Sequence, residues 1–421
     1  MPGDTTMNMP IITDGSRLQL HELRERREQD EWYVGRLDTG DFVVLPEVGV
    51  QVVRLLGQGM PIGQVQRQVQ DVDGEEIEVG NFAAALVELG FVTEVDGAEV
   101  ATTPPRPATW PTLRPRHVRW VLHPAVAVGV FGLILAGLVA TVARPTVIPT
   151  YTDLLWDSHG GLVLAGNALL GWTLIFLHEI THLITARAAG VPGWMSISTR
   201  LQSLAAQTDV SGIWSAPRRV RMTVYLSGLV FELAVAASGM LYLAIAEPSG
   251  WVERAVSVLV LLIIASFPAE ALVFMRTDLY FVLQDLSRCP NLYAEGSAYV
   301  WHVVARLRGR RTADPTSELT PRERTAVRTY AALLLFGTIG CLTVFVTVAL
   351  PISITLLGNA IRGLSDDTLL TVGDSVLLLV VLTVLQALWV RAWLRRHGPK
   401  VRAYLRRYRN GKAAAATRHG V

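Results

Sequence analysis

Two histidines and a glutamate within five residues, His178-Glu179-Ile180-Thr181-His182, have the types and spacing best suited to chemistry in this chain. On a helix, positions four apart share a face, so the two imidazoles can reach one ion. Glu179, beside them, is placed to act on a water held by that ion. The form H-E-x-x-H is that of a zinc hydrolase, with two His ligands and a Glu as general base. Zinc held there would lower the pKa of its water to about 7 and polarise a peptide carbonyl.

The surroundings sharpen this reading. Residues 161–177 contain no charged side chain, and the motif follows directly. Ionisable groups in an apolar, membrane-length run are costly and tend to be functional and paired. A catalytic zinc needs a third protein ligand and one open position. Asp278, in Met275-Arg276-Thr277-Asp278-Leu279-Tyr280, ends another apolar run and is the expected third ligand, with Asp285 in reserve. The expected cofactor is one Zn2+ per chain.

A further carboxylate, Glu232 in Ser227-Gly228-Leu229-Val230-Phe231-Glu232, also lies within an apolar run. It suits a hydrogen bond to a ligand histidine, a contact with substrate, or a structural bond to a neighbouring helix. Gly228 and Gly239 allow close helix approach. Pro268 and Glu270 suggest a kink just before Asp278, a break that would let water or a peptide backbone approach. His302, beside Trp301, reads as packing or surface.

These groups must be positioned by a chain of 421 residues, 51% of them hydrophobic. That is too apolar for an ordinary soluble enzyme. The net charge of +2 says little about partners, and no nucleic acid is expected. Two cysteines, Cys289 and Cys341, make no disulfide framework. No signal peptide opens the chain, so the N-terminus is expected in the cytoplasm.

Six apolar runs are each long enough to cross about 30 Å of hydrocarbon as a helix. They lie near 120–143, 161–185, 222–246, 254–275, 329–357 and 369–392. Arginines gather before the first run, between the second and third, between the fourth and fifth, and after the last. Every basic loop falls on one side if both termini are cytoplasmic. That topology brings His178, His182 and Asp278 to the same depth.

Residues 1–29 read as a flexible lead-in, with Arg24–Glu28 able to form a solvated helix. Residues 30–100 read as a small α+β domain. Trp32–Val34 and Phe42–Leu45 are strands, followed by helices over Val48–Leu56, Ile62–Val69 and Ile77–Leu89 and a closing strand Phe91–Thr93. Residues 101–116, with five prolines, make an extended linker. Residues 117–395 form the membrane domain. Residues 396–421 make a basic cytoplasmic tail suited to anionic headgroups. Between the second and third runs, Trp194–Ser198 and Thr208–Trp214 read as strand-like pieces. Their exposed edge would suit strand addition by an extended substrate. The fold class is therefore mainly α, a polytopic bundle with a small winged-helix-like N-terminal domain.

The membrane motif with the later Asp278 resembles the site-2 protease family of intramembrane zinc metalloproteases. Three stretches look like its peptide zinc metalloprotease branch. They are Thr208-Asp209-Val210-Ser211-x-x-Trp214 with Arg218-Arg219, Ser227-Gly228-x-x-x-Glu232, and Thr277-Asp278-x-Tyr280-x-x-x-x-Asp285-Leu286 with Asn291-Leu292. The family usually has Gly after the ligand Asp, where this chain has Leu279. The order of elements in residues 30–100 resembles the PqqD-like module, which binds the leader of ribosomally made precursor peptides.

By these resemblances His178, His182 and Asp278 would hold zinc, with Glu179 as the catalytic base. Glu232, Gly228 and Asp285 would support the metal or the substrate. The expected activity is endopeptidase cleavage of a membrane protein or a precursor peptide, in a multi-pass protein of the cell membrane. The alternative is a non-proteolytic zinc-containing membrane component for peptide binding, maturation or export. A transporter would also have six helices, but the chain shows no internal repeat.

Overall fold

The structure is a computed structural model that describes residues 12–28, 31–73, 78–200, 203–366 and 368–418. Strands β1 (Leu18–Leu20), β2 (Arg24–Glu28), β3 (Glu31–Gly35) and β4 (Phe42–Leu45) come first. Helices α1 (Glu47–Gly57), α2 (Ile62–Asp73) and α3 (Val79–Glu88) follow, then β5 (Val92–Val95) and β6 (Ala98–Glu99). One sheet runs β1-β5-β6 and the other β2-β3-β4, with antiparallel pairing throughout.

The expected strands and helices of this region are present, and the part of the third helix near Ile77 lies outside the described residues. Two features differ. Arg24–Glu28 is a strand, not a solvated helix, and pairs in register with Glu31–Gly35. It is an edge strand with largely exposed charged side chains, a composition that blocks further pairing and hides the strand from hydrophobic periodicity. Leu18 is buried in the core, so ordered structure begins inside the stretch read as a flexible lead-in.

The chain divides into two compact units. The first is Met1–His123 with His182–Trp194 and Thr208–Val224, and the second is Pro124–Thr181 with Met195–Gln207 and Tyr225–Val421. In the first, Val34, Val50, Val53, Leu56, Val65, Leu86 and Phe91 close the core. Arg36 is buried among them because Asp38 grips its guanidinium at 2.7 and 3.0 Å and the Gly90 carbonyl accepts a third bond. Such pairing is what makes a buried cation tolerable.

The proline-rich stretch carries no regular secondary structure before a turn at Trp110–Leu113, and it is fastened at Arg106 and Thr109. The Arg106 carbonyl accepts from the Trp194 indole at 3.2 Å. Thr109 donates its N–H to the Gly193 carbonyl. A short helix α4 (Pro115–Val118) follows.

The apolar helices lie mostly in the second unit. They are α5 (Pro124–Ala143), α6 (Gly160–Ala188), α7 (Arg218–Ala246), α8 (Trp251–Glu270), α11 (Pro321–Val344) continuing into α12 (Leu350–Gly363), and α13 (Leu369–Arg418). A hairpin of β7 (Trp194–Arg200) and β8 (Ser203–Asp209) separates α6 from α7, and α9 (Asp278–Ser287) and α10 (Leu292–Leu307) separate α8 from α11. Among the described residues, six spans are long and apolar enough to cross a membrane. Large apolar side chains such as Phe131, Leu169, Ile245, Phe336 and Ile354 are exposed along them, as lipid-facing residues would be. The protein is a polytopic helical membrane protein with a small α+β domain.

Four details shape this bundle. A β-carbon on Gly137 would fall 2.6 Å from Ala237, so α5 and α7 touch backbone to backbone. Gly239 similarly admits Val260 of α8. The fourth apolar run is shorter than expected, because α8 ends at Glu270, two residues after Pro268. The fifth contains a π-helical stretch at Phe345–Ala349.

Candidate metal centre

Helix α6 presents His178 and His182 on one face, and both are buried. Asp278 is the first residue of α9. It is delivered by the break after Pro268. The chain leaves α8 at Glu270, makes a tight turn over Val273–Met275, and passes through a left-handed Arg276 at φ 59°. Glu270 closes this detour from both of its ends. Its carbonyl accepts the Thr277 hydroxyl at 2.7 Å, and its carboxylate accepts the Asp278 N–H at 3.2 Å.

The outcome is a three-residue group. One ligand atom each from His178, His182 and Asp278 lies within 4.8 Å of the others. Among the described residues this is the one cluster of His, Cys, Asp and Glu able to hold a metal ion. The reserve ligand Asp285 is buried farther along α9 and is outside the cluster. Glu179 is buried on the same turn of α6 as the two histidines.

The hydrogen bonds fix which ring nitrogens face the centre. Nδ1 of His182 lies 2.8 Å from the Val224 carbonyl oxygen. A carbonyl only accepts, so Nδ1 carries the proton and Nε2 is left with its lone pair. Nδ1 of His178 lies 3.0 Å from Glu232 Oε1, while its Nε2 lies 2.9 Å from Asp278 Oδ2. Ser266 donates to the other Glu232 oxygen at 3.1 Å, which holds the carboxylate in place. Both histidines are therefore anchored through Nδ1, by a carboxylate and a backbone carbonyl. These are the usual outer partners of metal-bound imidazoles. The donor set of two imidazoles and one carboxylate fits zinc with an open position.

Gly228 faces the His178 ring, where any side chain would overlap it. Glu232 takes the role of hydrogen-bonding a candidate ligand, one of those open to it in the sequence. Sequence reasoning missed Val224, Ser266 and the anchoring by Glu270. A backbone carbonyl carries no sequence signal, and a lone Ser in an apolar run is unremarkable. His302 is buried, stacks on Tyr299 and bonds the Thr312 hydroxyl at 2.8 Å, a packing role. Cys289 lies outside the cluster, and burial and its hydrogen bond to Glu295 push its thiol up to about 12.

Comparison of the chain with known protein families, with curated proteins and with solved structures returns no match.

Proposed function

We propose that this protein is a membrane-embedded zinc metalloendopeptidase. The observation that carries the reading is the convergence of His178, His182 and Asp278, with both imidazoles locked so that Nε2 faces the cluster. The adjacent Glu179 adds what a purely structural metal site does not need.

His178, His182 and Asp278 would hold the ion. Zinc in such a site supplies Lewis-acid polarisation of a carbonyl and lowers the pKa of a water. Glu179 would take the proton of the attacking water and pass it to the leaving amine nitrogen. Glu232 would hold the His178 tautomer and raise its basicity.

The arginine-rich loops support an orientation with both termini and the site on the cytoplasmic side of the cell membrane. The N-terminal domain, by its resemblance to leader-binding modules, would hold a precursor peptide as substrate.

Metal content and cleavage test this together. Purified wild type should carry one zinc per chain, and Asp278→Ala should lose it. Glu179→Gln should keep zinc and abolish cleavage. Undiminished cleavage by Glu179→Gln would overturn the assignment.

A further inference from the structure

The strongest unexplained group in the molecule is a buried arginine at the start of α7. Arg221 is 1% exposed. Its guanidinium donates to both carboxylate oxygens of Glu28, at 2.7 and 3.1 Å, and to the Ala216 carbonyl at 3.3 Å. It also lies 5.1 Å from the ring centroid of Trp214 and 5.8 Å from that of Tyr33. Those two rings stack with centroids 5.4 Å apart and planes 4° from parallel. Arg26 adds a hydrogen bond to the same Ala216 carbonyl. Glu28 and Tyr33 belong to β2 and β3 of the N-terminal sheet, whereas Trp214 and Arg221 lie beside and within the start of α7.

One helical turn beyond Arg221 comes Val224, fully buried, whose carbonyl holds Nδ1 of His182. Three residues of one rigid helix therefore separate the ion pair to the N-terminal sheet from the group that orients a candidate ligand. We propose that Arg221 is a positioning residue for His182, and that Glu28 sets its position, so that the N-terminal domain tunes the metal centre through the first turns of α7. This rests on the metal-centre reading above.

The physical reason is the asymmetry of a buried ion pair. Removing the Glu28 carboxylate takes two charge-assisted hydrogen bonds from a buried guanidinium that cannot lose its proton, which draws that charge toward water. With Glu28 lost, Arg221 would turn away from its aromatic stack. The first turn of α7, including the Val224 carbonyl, must follow. A partner that displaces β2 would have the same effect, which makes the N-terminal domain a regulator of the site.

The test uses full-length protein in detergent, with Zn2+ and Co2+ as probes. Glu28→Gln should weaken zinc binding by about tenfold, the lower end of what outer-sphere changes cost. It should also shift the visible absorption of the Co2+-loaded protein, with helical content unchanged. Glu28→Asp, which keeps the carboxylate, should restore most of the affinity and the wild-type spectrum. A Glu28→Gln protein with wild-type zinc affinity and cobalt spectrum, alongside a His182→Ala protein that loses metal, would overturn the coupling and leave the metal centre standing. Wild type that binds neither ion would instead overturn the metal reading itself.

Discussion

Gly228 lies so close to the imidazole of His178 that a β-carbon there would overlap Nε2, Cε1 and Cδ2 of the ring. The glycine is thus a requirement of the candidate centre as much as of helix packing. Gly228→Ala should displace the ring that Glu232 and Asp278 grip from either side. Overpacking a tight contact costs about 1–3 kcal/mol, which as lost metal affinity is roughly fivefold to 150-fold. Competition with a chelator should read this as weaker zinc binding in a protein of wild-type helical content. Unchanged affinity would mean that the ring does not hold the ion through this edge.

Glu232 offers a graded test of the histidine anchor. Glu232→Gln keeps an acceptor for Nδ1 of His178 but loses the charge, and Glu232→Ala loses both. Outer-shell partners of this kind are worth about 10–100-fold in metal affinity. The alanine variant should fall near the upper figure and the glutamine variant near the lower. Ser266→Ala, which frees only the second Glu232 oxygen, should have a smaller effect than either. An order in which Ser266→Ala is the worst would assign Glu232 to substrate and not to His178.

Much of this arrangement was legible in the sequence because its signals are local. Four-residue spacing puts His178 and His182 on one face, and uninterrupted apolar length marks the six spans. Asp278 was legible because a charge at the end of an apolar run is conspicuous. Non-local pairings left no such trace. Glu28 and Arg221 are 193 positions apart, and neither carries a motif. Arg24–Glu28 is charged along its length, so only pairing with β3 makes it a strand. The kink at Pro268 was readable, whereas the tie from Glu270 to Asp278 depends on how the chain folds back after it.

Asp374, a lone acid in the last apolar helix with no role apparent in the sequence, accepts two backbone N–H groups at the start of α6. Gly161 donates to Oδ2 at 3.0 Å and Leu162 to Oδ1 at 2.9 Å. Those N–H groups have no partner within their own helix, so the carboxylate caps the helix that carries the histidines. Asp374→Ala should cost about 1 kcal/mol, as lost caps do. Thermal unfolding in detergent should show a lower midpoint, with zinc content still one per chain. A loss of cleavage at unchanged thermal stability would give Asp374 a functional role in place of the capping one.

The pairing of Glu28 with Arg221 predicts an acid transition with a definite sign. Burial opposes ionisation of Glu28, but the hydrogen bond from Arg221, with the charges of Arg221, Arg26 and Arg218, holds its carboxyl below the ordinary value of 4.5. The three arginines that face it stay protonated at any accessible pH, so Glu28 is the group that titrates. A carboxyl with a lowered pKa contributes stability fully above its unfolded value and loses it as the pH falls through the folded one. The Trp214 stack should therefore be constant at neutral pH and loosen only below about 4.5. Tryptophan fluorescence read against a Trp214→Phe control isolates that residue. Glu28→Gln should show the loosened signal at every pH, with no acid transition of its own. A Trp214-dependent transition centred above 4.5, or one that persists in Glu28→Gln, would show that another group holds Arg221 in place.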